Sequence, residues 1–337
     1  MLHLRLIVPA DRMPAVTELL EGDSSVTHLA VLTGAARDPV GDVVLCDVAR
    51  EGASAVLGAL RDLGLAEDGA ITAENVDLVL SESGRKAEED APGLGADAVI
   101  WEEIEHRVSD EIQLSATYLT FLVVATIIAG IGVLLDQPIL IVGAMVVGPD
   151  FGPLAAFCVG LVQRRRAMAV RAAVALLVGF PVAMAATLAT TWLLAALDLV
   201  DRSMLLGDRP LTDFIWRPDA LSWVVGFLAG IAGITSLTSA KSGALVGVLI
   251  SVTTVPAAAN VAVALAFGVF DEAWGSAVQL AVNLVAIVVG GVLTLVVQRL
   301  FWQRRSLQPK RTPQARRVAA RARRSARRRA ADGDPRD

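Results

Sequence analysis

The stretch VGAMVVGPDFGPLAAF (142–157) decides how this chain is read. It lies inside a long apolar run, yet it carries Gly143, Gly148 and Gly152, Pro149 and Pro153, and an acid, Asp150. A plain membrane anchor needs none of these, and a soluble core helix would be broken by them. Each proline removes a backbone donor and crowds the carbonyl four residues back. Gly148 and Gly152 lower the cost of unusual dihedrals. Backbone groups freed in lipid find no water, so protein, enclosed water or a bound solute must satisfy them. A carboxylate at that depth must be paired, protonated or hydrated. The stretch therefore reads as the lining of a polar cavity. Kinking for packing alone is the alternative, since Pro and Gly are common in membrane helices.

Working outward, the run belongs to a set of six apolar segments at about 117–135, 138–162, 168–197, 220–237, 243–268 and 274–300, each near or above the roughly 20 residues needed to cross a bilayer. The chain as a whole is 54% hydrophobic over 337 residues, with a mean hydropathy of +0.58. That excludes an ordinary soluble globular class. Arg164, Arg165, Arg166 and Arg171 follow the second segment, and an Arg-rich tail follows the sixth. Basic loops favour the cytoplasm. Six spans then place both termini inside, in an inner membrane. The loop 198–219, with five aspartates and three arginines, falls outside.

Six spans with this orientation form two triplets of inverted topology. The middle span of each carries the proline break, VGAMVVGPDFGPLAA (142–156) in the first and VGVLISVTTVPAAA (246–259) in the second. AGIGVL (129–134) and AGIAGI (229–234) precede them. Interrupted spans at matching positions of inverted halves point to a midplane binding site. The candidate binding residues are Gly148, Pro149, Asp150, Gly152 and Pro153 from the first half. The second half offers Thr253, Thr254, Pro256, Asn260 and Asn283, with Ser251 nearby. Asp150 is the expected cation or proton partner, with Thr253, Thr254 and Asn260 opposite. Gln279 and Asn283 lie four apart, on one helix face. An interhelical hydrogen bond is the plainer role for Asn283. Lys241 reads as a residue snorkelling at the cytoplasmic edge, and Asp136 as a solvated turn residue.

Residues 1–80 read as a small cytoplasmic α+β domain. LHLRLIV (2–8), VTHLAVL (26–32), DVVLCDV (42–48) and the end of AITAENVDLVL (70–80) are strand-like. Residues 14–20 and ASAVLGALRDL (53–63) are helical. The order β-α-β-β-α-β is that of a ferredoxin-like domain. Residues 81–116 read as a charged linker followed by an amphipathic helix, on which Ile100, Ile104, Val108 and Ile112 recur every fourth position. Residues 117–300 form the six-span domain, and 301–337 a disordered basic cytoplasmic tail. Residues 1–115 carry 23 acidic and 8 basic side chains, whereas 299–337 carry 14 basic and 3 acidic ones. Anionic lipid headgroups are the expected partner of the tail. Nucleic acid is not expected, because the tail lacks aromatic residues to stack on bases. The start MLHLRLIVPADR lacks the basic flank and long apolar core of a signal peptide.

TYLTFLVVATIIAGIGVLLDQPILIVGAMVVGPDFGPLAAF (117–157) resembles the signature of a bacterial membrane family called domain of unknown function 389. The residues that carry the likeness are Gly143, Ala144, Met145, Pro149, Gly152 and Pro153. VTTVPAAANVAVALAFG (252–268) and VNLVAI (282–287) resemble the family's second half, so the resemblance covers about residues 115–300. Asp150 stands where the family more often has an apolar residue, and Val255-Pro256 where a double proline is common. The resemblance implies a membrane architecture and no established activity.

No Gly-rich phosphate loop ending in Lys-Ser or Lys-Thr occurs, and no Gly-x-Ser-x-Gly elbow. His3, His28 and His106 are dispersed, without ligand spacing. Cys46 and Cys158 fall in a soluble strand and a span, so neither a disulfide nor a cysteine metal site is expected. No catalytic residue, metal or cofactor enters the reading. The expectation is an α-helical polytopic membrane protein, six spans in an inverted 3+3 repeat, behind a ferredoxin-like head. Its function would be that of a channel or secondary transporter for a small solute or ion, as a homo-oligomer. A membrane-anchored ligand sensor or oligomeric scaffold is the alternative.

Overall fold

The structure, a computed structural model, describes residues 1–91, 99–217, 219–239 and 254–306. The chain divides into two compact units, one holding Met1–Ile100 and the other Trp101–Leu300.

The first unit runs β1 (Leu2–Val8), α1 (Met13–Gly22), β2 (Val26–Arg37), β3 (Val40–Val48), α2 (Arg50–Asp62), a single turn α3 (Leu65–Asp68), β4 (Ala70–Asn75) and α4 (Glu82–Asp90). This is the expected β-α-β-β-α-β order with α3 and α4 added. The sheet order is β2-β3-β1-β4, and every pairing is antiparallel. Alternation sets the buried face: Leu2, Leu4, Leu6 and Val8 of β1 pack with Val16 and Leu20 of α1 and Val56, Leu57 and Leu60 of α2.

Three local expectations change. β4 occupies the start of 70–80 and not its end, stopping at Asn75, and Leu78 and Leu80 beyond it are exposed. The stretch 81–96 is not all linker. Ser81 caps α4 by accepting the Gly84 amide, and Arg85 pairs with Glu82 and Glu89 one turn away on either side. Residues 92–98 of that stretch lie outside the described residues. Ile100 is buried in the core of the first unit, so this unit extends past position 80.

The second unit begins with α5 (Trp101–Glu111), followed by α6 (Ala116–Leu134), α7 (Pro138–Val147), α8 (Phe151–Val162), α9 (Arg166–Ala196), a short α10 (Arg202–Leu206), α11 (Ala220–Thr238), α12 (Val255–Ala266) and α13 (Phe270–Ser306). Helices α6, α9, α11 and α13 are each long and apolar enough to cross a membrane, and α7 and α8 make a fifth span if their 55° bend is counted as one broken helix. Of the fifth expected segment, 243–268, only the part from residue 254 is described. Lys241, Ser251 and Thr253 lie outside the described residues, as does the tail beyond residue 306.

The unit is apolar outside and small inside. Leu177, Trp192, Leu193, Leu221, Leu228 and Val285 are exposed, whereas Ala125, Ala129, Ala183, Ala258, Ala259 and Ala262 are buried where α6, α9 and α12 meet. Exposed leucines on a soluble surface would be a liability; facing lipid they are at no disadvantage. Helix α9 contains Pro181 yet stays continuous over Arg166–Ala196. Proline therefore does not by itself set the middle span apart; the paired Gly-Pro steps at 148–153 do. The amphipathic stripe is used as its period requires: Ile104 and Val108 of α5 are buried, and α5 packs on α8. Asp136 is not simply solvated. It accepts the Thr212 hydroxyl at 2.8 Å and the Leu211 amide, tying the α6–α7 turn to the stretch before α11.

Candidate functional site

The broken helix is built by its own sequence. Gly148 ends α7 in an extended conformation, Pro149 follows, and Asp150 stands at the N-cap of α8. Gly152 and Pro153 form the first turn of α8, and both are buried. Gly152 is required by packing. A Cβ there would lie 2.2 Å from Glu111 Oε2 and 2.6 Å from its Cβ, so α5 crosses α8 at this turn.

Asp150 is fully buried, at 0% exposure. Its Oδ2 accepts a hydrogen bond from the Thr254 hydroxyl. Thr254, also fully buried, is the N-cap of α12, and Pro256 occupies the first turn of that helix. The proline break of the first half thus meets the proline-led start of α12. Helix N-termini carry partial positive charge, and here two of them, those of α8 and α12, begin at one buried carboxylate.

Asn260 is not opposite Asp150 in this arrangement. Its side-chain amide donates to Glu272 Oε1 at 3.0 Å and to Ser276 Oγ at 2.7 Å. Glu272 Oε1 also accepts Arg209 Nη2 at 2.6 Å, and both side chains of that pair are about 5% exposed. Asn283 accepts weakly from Gln279 at 3.5 Å, one turn away on α13. The expected site residues therefore fall into two groups. Asp150 and Thr254 belong to the helix break; Asn260 joins a second, buried polar cluster. Arg209, Glu272 and Ser276 escaped the sequence reading. The signal was present on α13, where Glu272, Ser276, Gln279 and Asn283 recur at intervals of four, three and four, one face of a helix. For Arg209 no local pattern existed.

A third polar group lies in the first unit. The β2–β3 ladder shifts register between Thr27 and Ala30, and His28 sits in that irregularity at φ 52°. Such a bulge re-aims side chains. His28 Nδ1 lies 2.6 Å from Asp47 Oδ2, its Nε2 lies 2.7 Å from Ser81 Oγ and 2.9 Å from Ser83 Oγ, and His3 Nδ1 lies 2.7 Å from Asp47 Oδ1. The histidines that look dispersed in sequence thus share one acid. Ser81 Oγ also accepts the Gly84 amide, so the group fastens the start of α4 to the sheet. Burial pushes the Asp47 carboxyl up, but hydrogen bonds from His28 and His3 outweigh it and hold the pKa below its ordinary value of 3.8. A depressed carboxylate stabilises the fold above its unfolded pKa, and that contribution fades as pH falls through the folded value. The first unit is therefore expected to loosen as pH drops below about 4, and Asp47→Asn to flatten that loss. Circular dichroism of the full chain during acid titration checks it; identical acid profiles would refute the role. Both cysteines are free and buried, and burial pushes the Cys46 thiol up to about 11.

The described helices make this an apolar, multi-helix chain of the kind that enters membranes. Residues 145–289 match the family described as "Domain of unknown function (DUF389)", which agrees with the resemblance carried by Met145, Pro149, Gly152 and Pro153. An uncharacterized protein of Methanocaldococcus jannaschii is 26% identical over 190 residues, a stretch that is 56% of this chain and 56% of that one. The match therefore spans little more than half the length of that relative. No solved structure matches.

Proposed function

We propose that the protein is a multi-pass inner-membrane channel or secondary transporter for a small solute or ion, with both termini cytoplasmic. The observation that carries this reading is the buried Asp150 carboxylate at the α7–α8 break, held by Thr254 at the start of α12. A carboxylate retained in an apolar helical unit is costly, and its default reading is a functional one such as a solute or proton path. Broken helices with converging N-termini are the usual material of midplane sites. Helices α6, α7–α8 and α9 correspond in order to α11, segment 243–268 and α13, which supports an inverted 3+3 repeat. The sheet order β2-β3-β1-β4 supports a ferredoxin-like head, acting as a regulatory domain. The basic tail would hold anionic lipid headgroups, and the chain would work as a homo-oligomer. No enzymatic step enters this reading.

The test is flux into proteoliposomes of the full chain, with Asp150→Asn beside the native protein. The variant keeps the side chain's size and removes its charge. Flux is expected to fall about tenfold or more, the effect of about 1.4 kcal/mol at the limiting barrier, or to lose its dependence on pH. No flux above that of protein-free liposomes in either protein would instead favour a sensor or scaffold whose helices only anchor it, and equal, non-zero flux would remove Asp150 from the path.

A further inference from the structure

The second polar cluster is not needed to hold the helix break, and its composition is unusual for an apolar bundle. Glu272, Ser276, Gln279 and Asn283 line one face of α13 and are at most 5% exposed. At 1.5 Å per residue the face runs about 16 Å, roughly half a 30 Å hydrocarbon layer. Asn260 of α12 bridges its upper two members. Arg209 reaches Glu272 from the stretch between α10 and α11, whose Trp216 backbone lies so close to α13 that a Cβ on Gly275 would fall 2.3 Å from the Trp216 oxygen. That stretch is thus laid across the first turns of α13 and pinned there by an ion pair.

The pair is only partly satisfied. Arg209 Nε and Nη1, Asn260 Oδ1 and Gln279 Oε1 are buried without a hydrogen-bond partner among the described residues. Replacing a buried ion pair by well-packed apolar side chains is often neutral or stabilising, so stability alone is a weak reason for this one. Buried polar atoms left unmatched are costly, and each calls for an explanation such as water or a ligand in another state. The four atoms also describe what they would bind. Arg209 offers donors, and the two amides offer acceptors, while the charges of Arg209 and Glu272 cancel. A lone cation would meet the guanidinium, and a lone anion would meet the carboxylate and the amide oxygens.

We propose that the polar face of α13 lines the solute path, that Arg209 and Glu272 close its mouth in this structure, and that the solute is small, hydrophilic and without net charge, zwitterions included. The proposal rests on the transport reading and names its substrate class. Opening separates Arg209 from Glu272 and lets water, then solute, reach Ser276 and Gln279.

The experiment uses the full chain with Cys46 and Cys158 replaced by alanine and one new thiol from Ser276→Cys. In nanodiscs, a membrane-impermeant maleimide is expected to label this thiol slowly. Adding Glu272→Gln is expected to speed labelling about tenfold, the rate effect of roughly 1.4 kcal/mol. The exchanged pair, Arg209→Glu with Glu272→Arg, should return it to the slow rate. Labelling that Glu272→Gln leaves unchanged overturns the gate, and so does an exchanged pair that stays fast. If Glu272→Gln does not fold, Arg209→Gln takes its place, with the same expectation. Flux separates this proposal from the one beneath it. Proteoliposomes are offered glycine, glycerol, sodium and chloride. Faster passage of glycine or glycerol than of either ion supports the proposal. Faster passage of the ions overturns the substrate class and leaves transport standing. Faster labelling with no solute moving in any variant overturns the path together with the transport reading. Unchanged labelling in a protein that does conduct defeats the gate alone.

Discussion

Gly290→Ala is expected to destabilise the helical unit by about 1–3 kcal/mol, the usual effect of overpacking a tight contact, and Gly290→Val to prevent its assembly. A Cβ on Gly290 would lie 2.2 Å from the Phe227 carbonyl oxygen, and one on Gly230 would lie 2.2 Å from that of Ile287. The obstacle in both cases is backbone, which cannot rotate away as a side chain can. Gly226 and Gly230, four residues apart on α11, let the two helices approach at van der Waals distance, and such approach is what holds helices together where lipid is as apolar as leucine. Gly143→Ala is the matched control, because nothing lies within 4 Å of a Cβ there. The fraction of monodisperse protein surviving a heating series reads the effect. If the alanine variants at 290 and 143 survive equally, the α11–α13 contact is looser than the structure has it.

The second large effect is expected at the helix break. Thr254→Val preserves shape and removes the hydroxyl donated to Asp150 Oδ2. Removing a donor from a buried charged acceptor costs about 1–3 kcal/mol. Valine should therefore lower stability when Asp150 is present and much less in an Asp150→Asn background. The coupling from the double-mutant cycle is expected to be about 1 kcal/mol or more, as for groups in direct contact. Additive effects would mean that Asp150 is held mainly by other groups, and the pairing of the two helix starts would lose its importance for the site. Run beside flux measurements, the cycle separates a residue that only holds helices from one that also serves the solute.

Much of the architecture was legible because its causes are local. Apolar runs such as 117–135 and 168–197 match α6 and α9 to within two residues, since length and hydropathy act along the chain itself. The Gly-Pro steps announced the 55° bend, because proline's missing donor needs no neighbour to act. Alternation in LHLRLIV marked β1 with its buried face. The stretch 81–96 misled because Gly and Pro at its far end hid a helix over Glu82–Asp90, which Ser81 caps from outside the sheet. The candidate site was half legible. Asp150 stood out as an acid in an apolar run, with Thr254 among the residues expected opposite it, and Asn260 as an amide, but the partners of Asn260 did not.

The sequence by itself determined which segments are apolar helices, where one of them breaks, and that the N-terminal residues alternate as strands. These follow from chemistry within a turn or two of chain. Only the tertiary structure decided that Thr254 meets Asp150 across 104 positions, that Arg209 reaches Glu272 across 63, and that His28 and His3 share Asp47. Such pairings are set by which helix faces pack together and by a bulge that turns one strand residue aside. Apolar helices pack through small side chains that look alike at many registers. The register that joins two polar groups is therefore a property of the assembled helices, and no short stretch of residues contains it.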